Sequence, residues 1–119
     1  MNSATAIAAL GALAHEHRLA IFRLLVEHGP DGLPAGVIAE NVGLVPSSLT
    51  FHLQHLTRSG LLTQQRQSRQ IFYAADFAAM NALVGYLTDN CCTASGACAT
   101  ACQPALAEPR RAAKKGRSA

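Results

Sequence analysis

No cysteine precedes Cys91, so the long N-terminal part of the chain must build its core without disulfides, which excludes a stapled secreted fold. Aromatic residues are scarce, 5% against an apolar fraction of 50% rich in alanine. That balance favours thin, closely packed helices over a β-sandwich. No apolar run approaches the roughly eighteen residues that a membrane-spanning helix needs. The N-terminal stretch Ala4 to Ala14 is apolar, and Ala12-Leu13-Ala14 imitates a signal-peptidase site, but no Lys or Arg precedes Arg18. Without a positive n-region a signal peptide is not expected. A cytoplasmic protein with reduced thiols is.

Negative charge is missing as well: no Asp or Glu occurs from Asn41 through Ala75, a stretch that holds Arg58, Arg66 and Arg69. The formal charge of +3 is unevenly spread. From residue 108 on, Arg110, Arg111, Lys114, Lys115 and Arg117 stand against Glu108, which makes that segment +4 and leaves residues 1 to 107 at −1. A local basic footprint on a near-neutral body suits binding to phosphate backbones. At 119 residues the chain is one domain, small enough that a helical protein gains from forming a homodimer.

Apolar spacing predicts five helices and one hairpin. A short helix begins at Ala4, and a second runs from about His17 to His28, with Leu19, Phe22 and Val26 on one face and Ile21 and Leu25 beside it. Gly29-Pro30-Asp31-Gly32 ends it. Pro34 suits the first turn of a third helix, which stops at Gly43. A fourth, from Pro46 to about Ser59, places Leu49, Leu53 and Leu56 inward and turns Ser47, Ser48, Thr50, Phe51, Gln54, His55 and Arg58 outward. Two strand-like runs follow, Leu61 to Arg66 and Gln70 to Ala74, joined by Gln67-Ser68-Arg69. A fifth helix, from Asp76 as N-cap to about Asn90, carries a stripe of Phe77, Met80, Leu83, Val84 and Leu87 and leads directly into Cys91. Three regions result: a helical domain over 1–92, a cysteine-containing segment over 93–102, and a basic tail over 103–119 too polar to order itself.

A short helix, a glycine turn and a second helix with a polar, acid-free outer face form a helix-turn-helix, and the hairpin makes it winged. The fold class is mainly α with a small β-hairpin. Its expected partner is double-stranded operator DNA. Ser47, Ser48, Thr50, His52 and Gln54 are the candidates for base edges or phosphates, and Arg58, Arg66 and Arg69 for the backbone. His52 flanks the leucine face, so it fits a packed histidine as readily as a base contact. His15 and His17, with no cysteine nearby, read as structural or solvated.

The run Ala14-His15-Glu16-His17-Arg18-Leu19, the segment Ser47-Ser48-Leu49-Thr50-Phe51-His52-Leu53 and the Gly60-Leu61 lead into the wing resemble the ArsR/SmtB family. The likeness covers about residues 4 to 92. It implies a dimeric winged-helix repressor, paired through its first and last helices, that releases DNA on binding a metal or metalloid. The family's arsenic site on the third helix is not expected here, since Pro34 to Val42 holds no Cys, and its zinc site needs a histidine that the fifth helix lacks.

Cys91-Cys92-x5-Cys98 is similar to the C-terminal triple-cysteine site of arsenite-responsive members. On an unbroken helix Cys91 and Cys98 would stand about 10.5 Å apart along the axis, at about 1.5 Å per residue. Thiolates sharing one ion lie roughly 4 Å apart. The chain must therefore bend between Cys92 and Cys98, where Thr93, Ser95 and Gly96 permit it. Three sulfurs without a histidine suit trivalent arsenic, or antimony, as inducer. Cys102 as fourth ligand would instead make a zinc or cadmium site, and a Cys92-Cys98 disulfide a redox sensor. An enzyme is not expected, because no Cys-x-x-Cys motif and no acid-base pair accompanies the thiols.

Overall fold

The computed structural model describes residues 1–94. Its elements are α1 (Ser3–Leu13), α2 (Glu16–His28), β1 (Leu33–Pro34), α3 (Ala35–Val42), α4 (Pro46–Arg58), β2 (Leu62–Gln67), β3 (Gln70–Ala75) and α5 (Phe77–Thr88). The winged helix-turn-helix expected from the apolar spacing is present. Among the described residues no helix is long and apolar enough to cross a membrane. The cysteine-containing segment beyond residue 94 and the tail over 103–119 lie outside the described residues.

Local chemistry sets the helix boundaries. Asn2 Oδ1 accepts from the Thr5 amide at 2.9 Å and opens α1, and Asp76 Oδ1 accepts from the Ala79 amide at 3.0 Å and opens α5. Pro46 stands in the first turn of α4, where its missing N–H costs nothing. Gly43 ends α3 in the left-handed conformation at φ 72°, and its amide and that of Leu44 both reach the Ala39 carbonyl. Pro34 takes the N-cap position of α3, one residue ahead of the expected first turn.

Within the compact unit Met1–Leu87, Ile21, Leu25, Ile38, Leu49, Leu53, Leu56 and Leu61 are fully buried. The inward face of α2 is Arg18, Ile21, Phe22 and Leu25, whereas Leu19, expected on one face with Phe22 and Val26, is 46% exposed. α1 packs through Ala6, Ala9 and Ala12, whose small side chains allow a close approach, and leaves Ile7 and Leu10 outside. On α5 only Leu83 is fully inside; Phe77 and Met80 pack against the core, and Val84 and Leu87 are exposed.

The sheet has three antiparallel strands in the order β1-β3-β2, one more than the hairpin expected. β2 and β3 pair from Leu62↔Ala75 to Gln67↔Gln70, so the turn is the two residues Ser68 and Arg69. Ser68 has φ 58°, the positive value that a two-residue hairpin turn demands at its first position. The added strand pairs Leu33↔Tyr73 and Pro34↔Phe72. Gly32 admits it: φ is +78°, and a Cβ there would stand 2.7 Å from the Tyr73 carbonyl oxygen.

Candidate nucleic-acid interface and metal-binding residues

The αL glycine turn aims α4 away from α3, and the leucine face of α4 fixes its rotation. With Leu49, Leu53 and Leu56 inside, Ser47, Thr50, Phe51, Gln54 and Arg58 are exposed, and Ser48 and His55 are half-buried. Arg66 at the end of β2 and Arg69 in the wing turn are exposed too. No Asp or Glu lies among these residues of the helix and wing, since none occurs from Asn41 through Ala75. Thr50 Oγ1 donates to the Pro46 carbonyl at 2.9 Å, which leaves its oxygen lone pairs and its methyl for a groove. Phe51 was not among the expected contacts, yet it is 59% exposed amid the polar side chains. An exposed apolar ring in that position can meet a thymine methyl, and its place between Thr50 and His52 was the available signal.

His52, whose position allowed either a packed histidine or a base contact, is packed. It is buried, at 7% exposure, on the side of α4 that faces the start of α2. Its Nδ1 lies 3.4 Å from Nη1 of Arg18, itself a buried cation whose Nε–H donates to the Ala12 carbonyl. That carbonyl is one of the last of α1, without a partner inside the helix, so a guanidinium there satisfies it and complements the helix dipole. Arg18 thus joins the end of α1, the start of α2 and the recognition helix. Burial pushes the His52 imidazole below the ordinary histidine value, helped by His15, Arg18, His17 and His55. His55 is lowered as well, first by burial and then by Arg18, Arg58 and His15.

His15 and His17 are not merely solvated. The His15 Nδ1 accepts from the His17 amide at 3.1 Å and caps α2, and both rings lie against His52, with centroids 4.7 Å (His15) and 5.7 Å (His17) away. Position numbers 15, 17 and 52 offered no clue to this meeting.

Cys91 and Cys92 lie beyond α5 and do not continue it. The helix stops at Thr88, and two turns follow, closed by Cys91 N–H to Thr88 O at 3.0 Å and Thr93 N–H to Asn90 O at 3.2 Å. Asn90 and Cys92 take positive φ values, 58° and 60°, which a continuing helix forbids. The two neighbouring sulfurs come within 3.7 Å, close to the spacing of two ligands on one ion. Binding an ion through both sulfurs requires thiolates, which belong to the reduced chain. The other expected ligands, Cys98 and Cys102, lie outside the described residues.

Residues 13–65 match the family model of a helix-turn-helix domain. The chain is 31% identical over 94 residues to the transcriptional activator HlyU of Vibrio cholerae, a match covering 79% of this chain and 84% of that protein. Among solved structures, the ArsR-like transcriptional regulator from Rhodococcus sp. RHA1 superposes with a TM-score of 0.63 at 26% identity, over 71% of this chain and 76% of its own. Mb0332 from Mycobacterium bovis, a homodimeric winged helix-turn-helix DNA-binding domain, superposes with a TM-score of 0.57 at 28% identity, over 72% and 80%. A helix-turn-helix with an acid-free reading face, a wing with two exposed arginines, and relatives that regulate transcription lead to one assignment: the chain belongs to the ArsR family of winged helix-turn-helix transcriptional regulators.

Proposed function

We propose that the protein is a homodimeric repressor that releases operator DNA when trivalent arsenic, or antimony in its place, is bound by Cys91, Cys92 and Cys98. The observation that carries the reading is the Cys91-Cys92 pair, whose sulfurs stand 3.7 Å apart in a turn directly after α5. Two soft donors at chelating distance, with a third seven residues past the first, suit an ion that takes a pyramid of three sulfurs. The dimer is supported by exposed apolar residues on the first and last helices, Ile7 and Leu10 on α1 and Val84 and Leu87 on α5, and by the homodimeric state of the Mb0332 domain. In such a dimer two copies of α4 meet successive major grooves about 34 Å apart.

Closing three sulfurs on one ion fixes the turns after Thr88 and acts on the end of α5, the helix proposed to pair the chains. A hundredfold loss of operator affinity requires about 2.7 kcal/mol of difference between the two states, within what metal-thiolate bonds supply. The test uses a DNA site selected from random duplexes and the reduced full chain. Arsenite should release the wild type and fail to release Cys91→Ser, Cys92→Ser or Cys98→Ser; undiminished release of all three refutes the site. Because the HlyU relative is named an activator, the direction of control is read in a reporter, whose expression should rise with arsenite.

A redox reading competes, through oxidation of the cysteine cluster to a disulfide. It predicts release by a thiol oxidant without any metalloid. Cys102→Ser should be nearly silent for arsenite and disabling if zinc or cadmium is the inducer.

A further inference from the structure

We infer that His15, His17 and His52 form a binding site for a divalent late first-row transition ion, with zinc as the fitting member, at the junction of α2 and the recognition helix. The site uses none of the cysteines and does not depend on the reading given for them. Each histidine offers a ring nitrogen within 4.8 Å of those of the other two. Their ring centroids are 4.7, 5.4 and 5.7 Å apart. With Zn–N at about 2.05 Å and the centroid about 1.15 Å farther out, three imidazoles on a tetrahedral ion have centroids about 5.2 Å apart. The rings stand near the spacing of a three-histidine centre, and His15 and His17, exposed and half-buried, are the two whose rings can turn toward one point.

The donor set selects the ion. Imidazoles suit zinc, copper, nickel and cobalt, whereas magnesium and calcium require oxygen. Three protein nitrogens leave a fourth position for water. The Glu16 carboxylate, 3.9 Å from His17 Nε2, offsets part of the added charge and can orient the ring as carboxylates do behind metal-bound histidines.

Metal and the apo contacts exclude each other. The Nδ1 of His15 accepts from the His17 amide, and the Nδ1 of His52 faces the Arg18 guanidinium. If Nδ1 binds the ion, its lone pair is no longer there to accept. If Nε2 binds, Nδ1 carries the proton and confronts another donor. Either way the cap of α2 and the Arg18 link to α4 are given up, so occupancy replaces one set of attachments of the recognition helix with another. His52 anchors both sets.

The experiment uses the full chain with Cys91, Cys92, Cys98 and Cys102 all changed to Ser, so that no thiolate ligand remains. Cobalt(II) titration should give one equivalent per chain with visible bands of tetrahedral intensity and no sulfur charge-transfer band, and zinc should displace it. His15→Ala and His17→Ala, both outside the core, should each weaken binding at least tenfold, while His28→Ala should not. Circular dichroism confirms that each variant remains folded. Absence of saturable binding, or equal affinity in His15→Ala, His17→Ala and His28→Ala, overturns the site.

Discussion

Replacing Arg18 with Met keeps most of the side chain's length and removes everything polar about it. In the wild type the residue is 9% exposed, its Nε–H donates to the Ala12 carbonyl, and its Nη1 lies 3.4 Å from His52 Nδ1. The Ala12 residue is fully buried, so its carbonyl has no water to turn to. A hydrogen bond from a charged donor contributes about 1.5–3 kcal/mol, and the long contact to His52 adds little. Against this, methionine avoids the cost of keeping a guanidinium out of water, which is why apolar replacements of buried charges are sometimes neutral. The orphaned carbonyl tips the balance toward a net loss of about 2 kcal/mol, or a fall of about 8–16 °C in Tm for a domain of this size. Urea unfolding at one fixed protein concentration measures it, with an unchanged m-value showing that only stability moved. NMR titration supplies a second readout: the His52 pKa should rise on losing the Arg18 charge, yet stay below the ordinary value because burial, its largest cause, persists. A stability change under about 0.5 kcal/mol, the range of an ordinary surface substitution, would refute the reasoning.

Gly32→Ala should destabilise by about 1–3 kcal/mol, since it combines a left-handed φ with a Cβ driven into Tyr73 O, and denaturant unfolding would show it as a lower midpoint. Arg66→Ala and Arg69→Ala should each flatten the plot of log affinity for DNA against log salt by about 1.8, two phosphate contacts per dimer at about 0.9 each; an unchanged slope means that the residue touches no phosphate. In metal-free protein the folded state holds His52 below 6.5 and so binds fewer protons than the unfolded chain. Its stability contribution is therefore complete above about pH 6.5 and is lost as the pH falls toward and through the lowered value, a slope that His52→Gln should reduce.

The parts of this fold that sequence reasoning reached are those governed by residues near one another in the chain. Leu49, Leu53 and Leu56 determine which side of α4 is buried, and by complement which side can meet DNA, because helical period alone relates them. Asp76 announces the start of α5 by a bond spanning three residues. The end of α5 was not legible: Asn90 and Cys92 adopt left-handed backbone without a glycine to signal it, and the apolar stripe contains nothing that distinguishes a last turn from a following one. β1 was missed because a two-residue strand has no period, and its pairing with Tyr73 depends on an approach that only Gly32 permits.

His52 shows what kind of information was missing. Its position between the leucine face and the polar face of α4 is ambiguous by period, and neighbours within one helical turn could not decide it. The decision comes from Arg18, thirty-four positions away, which must satisfy the Ala12 carbonyl and in doing so reaches the edge of α4. Once the guanidinium is there, a side chain at position 52 must be both compact enough to be buried and able to accept a hydrogen bond, and imidazole meets both needs. The same requirement brings His15 and His17 against it, because the cap that starts α2 is only three residues before Arg18. His52 is therefore packed where α4 meets the start of α2, beside the leucine face that holds the recognition helix to the core, and an ion bound by its nitrogens, as inferred above, would act on that helix without touching DNA.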